Sequence, residues 1–250
     1  MKITLSIRRF NPETDKEPYY QNYSVQVEPT DRLLDALIEI KERHDGTLCF
    51  RKSCAHGVCG SDAMRINGKD RLACKTLVRD VADREGAVVT VEPLRHVAVS
   101  RDLMVDQSVF FEKFRSVKPY LINDEPVPRG ERIQQQAQRD RFDDATNCIL
   151  CCACYSACPV LDTSPDFLGP AAIVQAFRFL EDSRDLGFEQ RLASLDRDHG
   201  VWACRNHFEC TRACPRGIKV TRHINRTKQK IEEYKKSAQG RTHSEVGKDT

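Results

Sequence analysis

The sequence predicts an α+β chain in two parts, a strand-built half covered by one helix and then a half built of helices. Three observations carry this. Period-two alternation is confined to the stretch before about Val105, apolar residues recur at helical spacing after it, and the cysteines fall in two tight groups, one in each half. With 250 residues and 40% hydrophobic content, the chain can bury one large core or two modest ones.

Residues 2–10 place Ile3, Leu5 and Ile7 on one face, and Tyr23, Val25 and Val27 repeat the period, so two strands pair as a hairpin. Leu33, Leu34, Leu37 and Ile38 then follow helical spacing behind a Thr30 or Asp31 cap, and this helix ends near Asp45-Gly46 after covering the sheet. Asn67-Gly68 turns the chain between the runs Ala63–Ile66 and Arg71–Ala73, and Val88–Val91 adds a strand before Pro93. Helices are expected over Ser108–Ser116, Glu131–Arg139, Pro170–Ser183 and Val220–Lys236, the third opened by a proline in its first turn. The chain thus divides into residues 1–105, residues 106–236 and a polar tail, 237–250, expected to be disordered.

The balance of 40 basic and 37 acidic residues leaves a formal charge of +3, which argues against a nucleic-acid binder. No apolar run approaches the roughly 18 to 20 residues that cross a bilayer, so the chain is expected not to span one. Arg8-Arg9 is followed by Phe-Asn-Pro-Glu, without the apolar stretch of an export signal.

The 12 cysteines lie between Cys49 and Cys74 and between Cys148 and Cys214. Disulfide frameworks belong mainly to small secreted domains without a core, which this chain is not expected to be. Cys54-Ala-His-Gly-Val-Cys59-Gly-Ser-Asp62, followed by Cys74, has the C-x4-C-x2-C spacing and distant fourth ligand of plant-type [2Fe-2S] ferredoxins. Asp62 stands where the third cysteine would be. A carboxylate is a harder, more protonatable iron ligand than a thiolate, and Asp62 is expected to serve as one; the alternatives are a solvated loop aspartate or Cys49 in its place. Cys49 lies outside the pattern and suits packing. Gly57 and Gly60 let backbone N–H groups approach the sulfides, while Arg51 and Lys52 read as solvated.

The run from Cys148 to Pro159 contains C-x2-C-x2-C-x3-C-P, in which the first three cysteines hold one cubane and the fourth ligates a neighbouring cluster. The required second run is Cys204-Arg-Asn-His207-Phe-Glu-Cys210-Thr-Arg-Ala-Cys214-Pro215, with His207 at its second cysteine position. Exchange of fourth ligands assigns Cys148, Cys151, Cys154 and Cys214 to a [4Fe-4S] cluster. It leaves Cys158, Cys204 and Cys210 for a [3Fe-4S] cluster, unless the His207 imidazole holds a fourth iron. Cys152 is off the spacing and reads as a packed thiol. Zinc binding, the main alternative for paired C-x2-C units, gives no reason for two reciprocal proline-terminated runs beside a plant-type loop.

With these motifs, and with Val117-Lys118-Pro119-Tyr120-Leu121, Phe167-Leu168-Gly169-Pro170, Asp182-Ser183-Arg184-Asp185 and Gly200-Val201-Trp202-Ala203-Cys204, the chain resembles the iron-sulfur subunit of the succinate dehydrogenase and fumarate reductase family, respiratory complex II. The resemblance spans nearly the whole chain. It implies a β-grasp plant-type ferredoxin domain followed by an all-α bacterial-ferredoxin-like domain. It also implies a role in passing electrons from the FAD of a partner flavoprotein through [2Fe-2S], [4Fe-4S] and [3Fe-4S] clusters to quinone at a membrane anchor, on the cytoplasmic side of the cell membrane. No glycine motif follows a strand here to bind FAD, which agrees with a flavin held by the partner.

The resemblance weakens at the quinone end. Thr163 stands where many ubiquinone-linked members have tryptophan, and Arg205 where they have histidine, which puts a ubiquinone site of that kind in doubt and admits menaquinone. Pro159, Arg205 and His207 are nominated as neighbours of the quinone site, or as packing around the cluster. The basic stretch Arg216 to Lys236 reads either as a solvated helix or as a face for an anionic membrane surface. A soluble carrier acting alone is the remaining alternative.

Overall fold

A computed structural model describes the backbone of residues 1–245 and the side chains of residues 1–238. Strands β1 (Lys2–Arg9) and β2 (Tyr19–Gln26) pair antiparallel from Lys2 opposite Gln26 to Arg9 opposite Tyr19. This register buries Ile3, Leu5, Ile7, Tyr23 and Val25 on one face, as the alternation requires. Helix α1 (Leu33–Glu39) lays Leu33, Leu34, Ala36 and Leu37 in the core and runs on as a π-helical turn, Ile40–His44. Its N-cap is Arg32 rather than Thr30 or Asp31. Asp35 accepts the Arg32 N–H at 3.2 Å, whereas the Asp31 carboxylate turns back to the Glu28 N–H.

With β3 (Ala63–Ile66), β4 (Lys69–Leu72) and β5 (Val88–Glu92), the sheet has the order β2-β1-β5-β3-β4, in which β1 and β5 run parallel and the other neighbours antiparallel. A mixed sheet crossed by one helix is the β-grasp arrangement expected. A second hairpin, β6 (Ala98–Arg101) and β7 (Met104–Asp106), was not anticipated. Its turn residue Asp102 adopts φ 48° and is buried, where its carboxylate accepts Arg9 Nε at 3.0 Å, Phe10 N–H at 3.0 Å and Cys49 N–H at 2.8 Å. One aspartate therefore ties three segments together, and no local alternation announces it.

The second half is helical: α2 (Ser108–Ser116), α3 (Gln136–Arg139), α4 (Asp143–Thr146), α5 (Ala153–Ser156), α6 (Val160–Thr163), α7 (Pro170–Leu180), α8 (Phe188–Leu195), α9 (Glu209–Ala213) and α10 (Val220–Glu245). The helix expected over Glu131–Arg139 is confined to its last turn, because Arg132 donates to Glu125 O at 2.8 Å and Gln134 to Asp182 at 2.9 Å. Those long-range bonds hold 131–135 in an irregular path. The helix from Pro170 ends at Leu180 rather than Ser183, where Asp182 instead accepts the Arg184 N–H at 3.0 Å. The tail expected to be disordered from Ser237 continues α10 to Glu245; residues 246–250 lie outside the described residues.

Helices α7 and α10 pack side by side, with Phe177 stacked on His223 at 4.4 Å and Ile224 and Ile231 fully buried. Several of α10's basic side chains find partners within the protein. Lys228 donates to Cys204 O at 2.9 Å, Lys230 to Leu180 O at 3.1 Å, and Lys235 pairs with Asp196 at 2.7 Å. Among the described residues no helix is long and apolar enough to cross a membrane.

The Asp182–Asp185 motif contributes a buried clamp. Arg191, with no exposed surface, meets both Asp185 oxygens at 2.7 and 3.0 Å and donates to Tyr120 O at 2.7 Å and Lys118 O at 3.2 Å. Asp185→Ala strands a buried guanidinium, a loss of about 3–5 kcal/mol. Thermal denaturation of the variant is expected to show a lower Tm, and an unchanged Tm would remove the pair from the stabilising contacts.

Candidate functional site

The loop after Lys52 is shaped to present N–H groups to sulfur. Ala55 at φ 57° and Gly57 at φ 79° coil the chain so that the N–H groups of His56, Val58 and Cys59 point at Cys54 Sγ from 3.5, 3.4 and 3.3 Å. Ser61 N–H and Cys54 N–H lie 3.5 Å from Cys59 Sγ. These donors, those of His56 first, draw the Cys54 thiol down to about 6. A nest of this kind suits an anionic sulfur group.

Asp62 is buried rather than solvated, and its Oδ2 accepts the Cys74 N–H at 2.5 Å. Burial pushes the Cys74 thiol up to about 12, the Asp62 carboxylate adds to the rise, and the Gly57 N–H opposes it. Cys54 thus stands with Cys59, and Asp62 with Cys74, two pairs on one loop and the turn after β4. Cys49 is tied at its backbone, its N–H donating to Asp102 at 2.8 Å.

In the helical half the thiols gather around two cavities. One is lined by Cys148, Cys151, Cys154 and Cys214 together with aliphatic side chains such as Val174 and Ile218. The other is lined by Cys158, Cys204 and Cys210, with Pro159, Arg205 and His207 at its margin. The fourth cysteine of each run is therefore carried to the other run's cavity. Cys152 borders the first cavity but is buried, at φ 67°, as the residue preceding α5.

Desolvation pushes Cys151 up to about 12, Cys158 up to about 11 and Cys154 well above its ordinary value. Without metal these thiols hold their protons, and iron binding must displace them. Among the described residues, no three Cys, His, Asp or Glu side chains close on a single ion. The donors stand around open volumes instead, which suits a polynuclear cluster.

The two halves meet at the sites themselves. A Cβ built on Gly60 (φ 70°) would lie 2.6 Å from Cys151 Cβ and 3.3 Å from Ile149 O, so the first loop touches the first cysteine run backbone to backbone. A second clamp holds the turn between Cys154 and Cys158: Ser156 Oγ donates to buried Asp70 of β4 and accepts the Arg95 N–H at 2.8 Å.

Three side chains near the thiols lay outside the motif reading. Gln175 bonds Cys148, and Thr211 and Thr221 bond Cys210. A glutamine on the buried face of an otherwise apolar helix was the one available signal; the threonines had none.

A 2Fe-2S iron-sulfur cluster binding domain matches residues 4–112, and a 4Fe-4S dicluster domain matches residues 144–218. A succinate dehydrogenase iron-sulfur subunit of Coxiella burnetii is 42% identical over 227 residues, covering 90% of this chain and 94% of the relative. The chain belongs to the family of succinate dehydrogenase and fumarate reductase iron-sulfur subunits. A fumarate reductase iron-sulfur subunit of Mycobacterium tuberculosis is 44% identical, over 91% of this chain and 92% of the relative. A chain of the solved Mycobacterium smegmatis Sdh1 complex in the apo form superposes with a TM-score of 0.83 at 28% identity, covering 94% of this chain and 97% of that one.

This complex II iron-sulfur subunit is an electron-transfer protein, with a [2Fe-2S] domain of β-grasp form preceding a helical 4Fe-4S dicluster domain. The expected fold class and family are borne out. Thr163 and Arg205 are both exposed; Arg205 lines the second cavity and Thr163 does not.

Proposed function

We propose that this subunit carries electrons from the FAD of a partner flavoprotein to quinone at a membrane anchor, in a succinate:quinone oxidoreductase. The observation that carries the reading is the interleaving of the cysteine runs, which collects four thiols around one cavity and three around the next. In this assignment Cys54, Cys59, Asp62 and Cys74 hold [2Fe-2S]; Cys148, Cys151, Cys154 and Cys214 hold [4Fe-4S]; and Cys158, Cys204 and Cys210 hold [3Fe-4S]. Bound there, the clusters supply a chain of one-electron carriers.

The chain's own residues arrange that order. The exposed Cys54–Cys59 loop faces outward, where a flavin-bearing partner would approach, Gly60 brings it against the Cys151 segment, and Pro159, Arg205 and His207 edge the last cavity, where quinone would arrive. The protein would lie on the cytoplasmic face of the membrane, held by anchor subunits. Thr163 and Arg205 admit menaquinone, and relatives named for both reactions keep the reverse reaction, quinol:fumarate reduction, as the second reading.

Low-temperature EPR of the purified complex, with iron and acid-labile sulfide counted on the same sample, tests the assignment. The expected result is a [3Fe-4S] signal in the oxidised sample, with [2Fe-2S] and [4Fe-4S] signals on reduction; iron-free protein would end the reading. Asp62→Ala is expected to weaken the [2Fe-2S] signal and spare the other two, because it removes one donor of a four-donor set. An unchanged spectrum would take Asp62 off the ligand list.

A further inference from the structure

The first turn of α10 delivers a hydroxyl to a cysteine of the last cavity. Thr221, 1% exposed, places its Oγ1 3.5 Å from Cys210 Sγ and 3.0 Å from Thr211 Oγ1. The helix end adds a third bond to this group. Thr221 N–H, a donor left without an intrahelical partner, points at Thr211 Oγ1 from 3.0 Å. Thr211 Oγ1 accepts there, and its hydroxyl bonds Cys210 as well. A cluster thiolate only accepts, so across the 3.5 Å contact with Cys210 the Thr221 hydroxyl is the donor.

We propose that Thr221 is a positioning residue for the terminal electron carrier, its hydroxyl donating to Cys210 and thereby raising the midpoint potential of the cluster held by Cys158, Cys204 and Cys210. One-electron reduction adds negative charge to the cluster and its sulfurs, so a donor to sulfur favours the reduced form. The donor works without competition from water, since Thr221 and Cys210 are both buried, and a low local dielectric strengthens it. The long α10 directs the positive end of its dipole the same way. The consequence is directional: an electron arriving from the preceding cluster settles at the end nearest the quinone margin.

The proposal rests on the reading of Cys158, Cys204 and Cys210 as cluster ligands, and its test separates the two. Potentiometric titration followed by EPR on the purified complex compares wild type with Thr221→Val, which keeps shape and backbone N–H but loses the hydroxyl, and Thr221→Ser, which restores it. The expected result is a lower midpoint for the terminal cluster in Thr221→Val, a near wild-type value in Thr221→Ser, and unmoved midpoints for the other two clusters. An intact Thr221→Val signal at the wild-type midpoint overturns the proposal. If wild type shows four-iron rather than three-iron signals at this site, the three-iron reading fails, and the Thr221 shift is read from that signal instead. If the valine variant does not assemble, Thr221→Ala, which also lacks the hydroxyl, is titrated; a wild-type midpoint there also overturns it.

Discussion

Gly60→Ala is expected to slow electron passage between the first two clusters while leaving each of them present. The added methyl meets the Cβ of Cys151 at 2.6 Å and its Cα at 3.0 Å, and a residue other than glycine is strained at φ 70° in any case. The neighbour is backbone, with no flexible side-chain end to yield, so the loop and the cysteine run must part or the loop must distort. Left-handed strain and overpacking together cost about 1–3 kcal/mol, and each 1.4 kcal/mol is about tenfold in the population of the native contact. Tunnelling falls steeply with distance, which adds to that loss.

The check is kinetic. Succinate-driven reduction of the [2Fe-2S] signal should keep its wild-type rate, while reduction of the later clusters and of quinone falls roughly tenfold or more. Wild-type rates at every stage would show that the Gly60 contact is not on the electron path.

Motifs made from consecutive residues were legible in the sequence, and contacts between distant residues were not. Strand β1 declares itself because Ile3, Leu5 and Ile7 alternate, and the cysteine spacings name their chemistry because iron needs several anionic donors from one short loop. The hairpin Ala98–Asp106 was hidden because its turn is held by Arg9, 93 residues away from Asp102. The burial of Asp62 was equally hidden. Its carboxylate is enclosed by the turn that carries Cys74, and nothing in Gly-Ser-Asp distinguishes that from a loop in water. Thr221 escapes for the same reason: what makes it chemical is Thr211 and Cys210 at its side.

On the proposed ligand assignment, His207→Cys is expected to convert a terminal three-iron cluster into a four-iron one. The backbone argues this more strongly than the spacing alone. In the first cysteine run, Cys151 is flanked by two left-handed residues, Leu150 at φ 52° and Cys152 at φ 67°, and a short helix follows. In the second run His207 is flanked by Asn206 at φ 58° and Phe208 at φ 64°, and a short helix follows there too. His207 therefore occupies the place in the second loop that Cys151 holds in the first, on the margin of the cavity lined by Cys158, Cys204 and Cys210. A thiolate there completes the four-donor set. The oxidised [3Fe-4S] signal should disappear, a [4Fe-4S] signal should appear on reduction, and the complex should gain about one iron per chain. His207→Ala separates the alternatives: a retained three-iron signal means the imidazole was never a ligand, whereas loss of a four-iron signal present in the wild type would make His207 the fourth donor already.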